Sequence, residues 1–184
     1  MDLELKGKTV VVTGGAKGIG AAIIRAAADE GANTVVIDRD EDAARKLEAE
    51  LGGVGKKTLA IVAELTNAES CRQAVEQATR STGEIDALIN NAGVNDRVGL
   101  EGGSPAEYVA SLERNLLHYY NVAHYALPWL KKAHGTCCLV AEVLSTNPSA
   151  QRLFETAGFK RVVALQGDAV TVNRYELIVP AGGG

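Results

Sequence analysis

The run Thr13-Gly14-Gly15-Ala16-Lys17-Gly18-Ile19-Gly20 has the residue types and spacing of a phosphate cradle. It follows an apolar, β-branched stretch, Thr9 to Val12, and opens a segment with Ile19, Ala22, Ile23, Ala26 and Ala27 at helical spacing. A strand, a glycine turn and a helix start in that order leave backbone N–H groups unpaired at a positively polarised helix end, where a pyrophosphate binds. Gly14 permits the tight turn, Gly18 lets the backbone approach the ligand, and Gly20 lets helix and strand pack closely. Thr34 to Ile37 reads as the next strand and ends on Asp38, eighteen positions beyond Gly20. A carboxylate there takes a ribose 2′-hydroxyl. The chemistry indicated is dinucleotide binding.

The elements that must position these residues alternate. Asp40 can cap a helix carrying Ala43, Ala44, Leu47 and Leu51 up to a Gly52-Gly53 stop. Thr58 to Val62 reads as a third strand. Thr66 with Glu69 forms a capping box for a helix whose apolar stripe is Cys71, Ala74, Val75 and Ala78. Asp86 to Asn90 reads as the fourth strand. Ser104-Pro105-Ala106-Glu107 starts a long helix through Tyr108, Leu112, Asn115, Leu116, Tyr119, Ala123 and Ala126, which Pro128 is expected to kink or end. Such alternation predicts a parallel sheet covered by helices on both faces.

A chain of 184 residues with 46% hydrophobic and 23% charged residues suits one globular domain. Its net charge of −4 and lack of a basic patch speak against nucleic acid, and no apolar run approaches a membrane span. No signal-peptide pattern opens the chain. Cys71, Cys137 and Cys138, odd in number, read as small core fillers in a reducing compartment. A cytoplasmic protein is expected.

The glycine run, Asp38, Asn90-Asn91-Ala92-Gly93 and Asn115 within Arg114-Asn115-Leu116 together resemble the short-chain dehydrogenase/reductase family over roughly residues 3 to 135. Asn95 and His118-Tyr119-Tyr120 are similar to the sugar (fucose-type) members. The resemblance implies an α/β fold: a Rossmann-like three-layer sandwich with a mostly parallel sheet. It implies cofactor contacts from Gly14, Ala16, Lys17, Gly18, Ile19 and Gly20, from Asp38 and Arg39, from Glu64 and Leu65 after the third strand, and from Asn91, Ala92 and Gly93. Glu64 with Leu65 is a mild departure from the usual acidic residue there. Asn90 would tie the fourth strand in place, and Asn115 is the family's catalytic asparagine. Asp38 favours NAD, because it repels a 2′-phosphate. Lys17 and Arg39 favour NADP, since either pairs with that phosphate. NAD is the expected cofactor, with NADP the alternative.

In that family a serine follows the fifth strand, and a tyrosine with a lysine four positions later acts as acid/base. Here Tyr108, Tyr119, Tyr120, Tyr125 and Tyr175 are followed at that spacing by Leu112, Ala123, His124, Trp129 and Val179. Ser145 has no base beside it. Residues 137–179 resemble instead the C-terminal unit of the GCN5-related N-acetyltransferases. Asn147 caps a helix begun by Pro148, with Ala150, Leu153, Phe154 and Ala157 buried and Gly158 ending it. Lys160 to Leu165 and Val170 to Val179 flank Gln166-Gly167-Asp168-Ala169 as a β-hairpin. Phe154 stands where many such enzymes carry a tyrosine acid.

The expectation is therefore an engineered chimera joined near His134-Gly135-Thr136, forming one domain over residues 1–180 with a 181–184 tail. Its NAD(P) site is vestigial, Asn115 included, and it is no enzyme. A ligand-free structural protein and, last, a working sugar or alcohol dehydrogenase are the alternatives. His118, His124 and His134 lack the i, i+4 spacing of a metal pair and read as surface or packing residues, so no metal is expected. Asp40, Glu41 and Asp42 read as a solvated helix start and Trp129 as packing. The outer face of the long helix is a candidate self-association surface, so the protein is monomer or homodimer.

Overall fold

A computed structural model of the chain describes residues 4–94, 96–134, 136–144, 155, 160–166 and 171–180. Two compact units divide it, Met1–Ala133 and His134–Gly184. In the first, the strands are β1 (Thr9–Thr13), β2 (Asn33–Asp38), β3 (Thr58–Val62) and β4 (Ala87–Asn90). They form a fully parallel sheet in the order β3-β2-β1-β4. The central β1 is buried along its whole length, as a strand covered on both faces must be, which its run of valines accommodates. Thr13 lies opposite both Ile37 and Asn90, so β1, β2 and β4 end level with one another. The chain leaves β1 toward β2 and β3, then crosses back to β4 on the other side. That reversal opens a crevice at the carboxyl ends of the strands.

Helices α1 (Gly18–Asp29), α2 (Glu41–Gly52) and α3 (Ala68–Thr82) follow β1, β2 and β3. Asp40 caps α2, accepting from the Ala43 amide at 2.9 Å. The buried face of α1 is Gly20, Ala21, Ile24, Ala27 and Ala28, one step round from the spacing predicted, and Ile19 is 75% exposed. Gly20 explains the rotation, because only a residue without a side chain fits where α1 meets the turn. The cap of α3 also shifts by one residue. Asn67 accepts from the Ser70 amide, while Thr66 donates both its amide and its hydroxyl to Glu64.

Ser104 and Glu107 form the expected reciprocal capping box on α4 (Pro105–Leu112). The long helix predicted there is interrupted by a π-helical turn, Glu113–Leu117, and resumes as α5 (His118–His134). It does not end at Pro128 but runs six residues further. An irregularity five residues wide at Asn115 was not legible from spacing alone. No helix among the described residues is long and apolar enough to cross a membrane.

The second unit contains β5 (Thr136–Leu144), β6 (Lys160–Gln166) and β7 (Thr171–Pro180), in the order β5-β7-β6. All nine residues of β5 pair antiparallel with β7, from Thr136 opposite Pro180 to Leu144 opposite Val172. That ladder satisfies one edge of β5 along its length. β6 pairs antiparallel with the other edge of β7. Apart from residue 155, the helix expected at 147–158 lies outside the described residues, as do Ser145, residues 167–170 and the 181–184 tail.

Candidate functional site

A cleft of about 430 Å3 opens at the carboxyl ends of β1, β2 and β4. Its floor is knitted by Thr13 and Asn91. The Thr13 hydroxyl accepts from the amides of Asn91 and Ala92 at 3.0 and 3.1 Å. In return the Asn91 side-chain amide donates to the carbonyls of Thr13 and Gly14 at 3.1 and 3.0 Å. The glycine turn is thereby fixed to the loop after β4.

The glycines divide by what surrounds them. A Cβ on Gly14, whose φ is +61°, would lie 2.7 Å from Ala92 Cα. One on Gly20 would lie 2.1 Å from the Gly14 carbonyl oxygen and 2.6 Å from the Asn91 amide nitrogen. Gly18, at φ +53°, would meet nothing within 4 Å, because it faces the open cleft. Helix α1 starts beside it at Lys17 with no side-chain cap and no acidic residue in the first turn. α2, α3 and α4 are all capped by side chains. Uncapped N–H groups facing a cleft are an anion seat.

Asp38 lines the cleft beside the glycine turn with both oxygens engaged. Oδ2 accepts from the Ala16 amide and Oδ1 from the Asp40 amide, each at 3.0 Å. Each oxygen keeps a lone pair for a ligand hydroxyl. The two neighbouring cations are paired. Lys17 Nζ binds Asp40 Oδ2, and Arg39 Nη1 lies 3.6 Å from Glu64 Oε2. The Lys17 hydrogen bond pulls the Asp40 carboxyl below its ordinary range. The Thr66 amide does the same for Glu64.

The other end of the cleft is built on the π-turn. Asn115 Oδ1 accepts from the Val94 amide at 2.7 Å, and its Nδ2 donates to the Ser111 carbonyl at 3.1 Å. The side chain thus clips the loop after β4 to the π-turn. Arg114 pairs with Asp96 at 2.8 Å, which also accepts from the Ser111 hydroxyl, and that pairing holds the Asp96 carboxyl low. His118 is 2% exposed, with Nε2 3.0 Å from the Ala92 carbonyl. Burial pushes its pKa down. Asn90 donates to the Tyr119 carbonyl at 3.3 Å, fastening β4 to α5.

Of the residues expected to touch cofactor, Gly14, Lys17, Gly18 and Ile19 line the cleft, as do Asp38, Arg39, Glu64 and Leu65 and, after β4, Asn91, Ala92 and Gly93. Ala16 and Gly20 stand behind this wall, one orienting Asp38 and the other seating α1. Arg114 and His118 also line it and were not singled out for this role. His118 stands three positions after Asn115, a spacing that shares a helical face, and that was the available signal. His124 stacks on Tyr120, a packing role.

These residues fit a dinucleotide: a glycine cradle with open space at Gly18, an uncapped helix start for the pyrophosphate, and an oriented acid for the ribose. Comparison with known proteins agrees. A family model described as short chain dehydrogenase matches residues 8–154. The L-fucose dehydrogenase of Mus musculus is 36% identical over 160 residues, 86% of this chain and 57% of that protein. The D-xylose 1-dehydrogenase of Caulobacter vibrioides is 35% identical over 132 residues, 72% of this chain and 52% of that protein. The crystal structure of Cj0485 dehydrogenase matches with a TM-score of 0.66 and 36% identity, covering 73% of this chain and 51% of that one. The chain spans little more than half the length of these relatives.

Two expectations are corrected. The dehydrogenase match runs to residue 154, straight across the join expected at His134-Gly135-Thr136, and no comparison supports an acetyltransferase unit in residues 137–179. The non-enzyme with a vestigial site is overturned as well, since the relatives over most of the chain are dehydrogenases. The cradle is also intact: Gly14 and Gly20 stand where a Cβ would collide, Gly18 opens on the cleft, and α1 is uncapped.

Proposed function

We propose, from the premise that this chain belongs to the short-chain dehydrogenase family, that it carries the cofactor-binding part of an NAD-dependent oxidoreductase acting on a sugar. The observation that carries this reading is Asp38, oriented by the Ala16 and Asp40 amides beside the glycine turn that leads into the uncapped start of α1. The helix start would receive the pyrophosphate and Asp38 the adenosine ribose. The cofactor is NAD(P), and Asp38 favours NAD by repelling a 2′-phosphate. The substrate class rests on the relatives, an L-fucose and a D-xylose dehydrogenase.

Bound in this cleft, NAD would supply the hydride acceptor for oxidation of a sugar hydroxyl to a carbonyl, with the proton released to solvent. This chain's residues hold and orient. The Gly14–Gly20 turn would seat the pyrophosphate, and Glu64 and Leu65 would flank the adenine. Asn91, Ala92 and Gly93 would lie along the nicotinamide half, and Asn115 positions that loop through Val94. Tyr108, Leu112, Leu116 and Tyr120 form an exposed apolar row at four-residue intervals, which favours homodimer over monomer.

Titration calorimetry and thermal unfolding of the full chain with NAD test the reading. NAD at one hundred times its Kd should add about 2.7 kcal/mol of stability and raise Tm. NADH formation with L-fucose and D-xylose then tests the substrate class. No heat and no Tm shift at millimolar NAD defeats it.

A further inference from the structure

The two cations beside Asp38 face a choice of partner, and the structure has made it. Lys17 and Arg39 line the cleft on either side of the acid that would take a ribose 2′-hydroxyl. Both would be the natural partners of a 2′-phosphate. Each is instead bound by a carboxylate that is itself anchored to backbone. Asp40 gives Oδ1 to the Ala43 amide at the head of α2 and Oδ2 to Lys17. Glu64 gives Oε1 to the Thr66 amide and hydroxyl, each at 3.1 Å, and turns Oε2 to Arg39 at 3.6 Å.

We propose that Asp40 and Glu64 are coenzyme-specificity residues, which exclude NADP by holding Lys17 and Arg39 away from the 2′ position. The inference rests on the NAD-binding reading above and deepens it. Three carboxylates (Asp38, Asp40, Glu64) against two cations (Lys17, Arg39) leave the local charge at −1, hostile to a phosphate dianion. Anchoring matters as much as charge. A freely rotating acid could swing aside, whereas these two keep a backbone bond on one oxygen while the other engages the cation. For NAD, whose 2′ position is a neutral hydroxyl accepted by Asp38, the paired cations cost nothing.

The pairs are exposed, with Lys17 at 67% and Arg39 at 64%, so each effect is modest. Calorimetric titration of the full chain with NAD and NADP separately reads the ratio of the two Kd values. In Asp40→Asn the asparagine still caps α2, so the fold is kept while Lys17 is released. The ratio should move about fivefold toward NADP in Asp40→Asn, less in Glu64→Gln, and about tenfold in the double variant. Adding Lys17→Met to Asp40→Asn should cancel its gain, because the freed ammonium is the proposed agent.

An unchanged ratio in both single variants, with NAD still bound, overturns the inference and leaves the cofactor reading standing. A gain that survives Lys17→Met overturns it too, since simple loss of repulsion would then suffice. A wild-type chain that binds neither nucleotide sinks the cofactor reading itself, and this inference with it.

Discussion

Thr13 and Asn91 are joined in both directions where β1 and β4 end side by side. The Asn91 amide donates to the Thr13 hydroxyl at 3.0 Å, and the Asn91 side chain donates back to the Thr13 carbonyl at 3.1 Å. Thr13 is fully buried, and its hydroxyl serves both amides that point at it. Thr13→Val keeps the shape and removes the acceptor. It should cost about 1–3 kcal/mol in urea unfolding, the penalty of leaving buried donors unmet. Thr13→Ser, which retains the oxygen, should cost clearly less. Equal losses in the two variants would mean that packing of the methyl, and not the acceptor, holds the turn.

Gly18 and Gly20 sit two positions apart and should fail in opposite ways when changed to alanine. At Gly20 the new Cβ would overlap the Gly14 carbonyl oxygen at 2.1 Å, so the turn or α1 must move. Gly20→Ala should lose about 3 kcal/mol or more of stability, as overpacking at an unyielding backbone does. At Gly18 the Cβ enters open space, and the positive φ of 53° costs only about 1–2 kcal/mol. Gly18→Ala should therefore stay folded and lose NAD affinity at least tenfold, because its methyl occupies ligand space. Paired unfolding and calorimetric curves separate the two. A Gly18→Ala protein that binds NAD as well as wild type would remove this residue from the cradle.

The four parallel strands and the cradle were legible because their signals are local. β-branched runs, a glycine at each tight backbone approach and an acid at the end of β2 all act within a few residues. What was not legible depends on groups brought together in space. The pairing of Lys17 with Asp40 spans 23 positions, and that of Arg39 with Glu64 joins two different loops. The rotation of α1 came from Gly20 against Gly14, not from the apolar period. The π-turn widens the helix at Asn115, where the side-chain pattern reads as continuous α-helix. β5 reads as a strand from its residues, but nothing within it names β7 as its partner. The dehydrogenase kinship lies in the glycine run, Asp38 and the Asn90–Gly93 stretch, and the absent tyrosine–lysine pair does not remove it.

Cys71 should be chemically silent in the folded chain. It is fully buried, its thiol donates to the Leu65 carbonyl at 3.2 Å, and burial pushes its pKa up to about 11. The thiolate that reacts is therefore scarce as well as shielded. Alkylation with iodoacetamide near pH 8, mapped by peptide mass, should leave Cys71 unmodified until denaturant is added. Rapid labelling under native conditions would show that α3 opens far more readily than its buried stripe implies.

His118 should make stability fall on mild acidification. Its ring is buried, and Nε2 donates to the Ala92 carbonyl on the cleft wall, which fixes the neutral tautomer. Burial holds its pKa below the ordinary 6.5 in the folded chain. The unfolded chain therefore takes up a proton as pH falls through about 6.5, while the folded chain refuses it until its lower pKa is reached. More protons on the unfolded state means stability is lost as pH drops across that window, with a slope of at most about 1.4 kcal/mol per pH unit for one proton. His118→Gln keeps an N–H donor and cannot titrate. It should be less stable than wild type at pH 7.5, and the difference should shrink steadily by pH 5.5. Urea unfolding at several pH values measures both lines, and lines that stay parallel would mean His118 is already protonated in the fold or free to reach water.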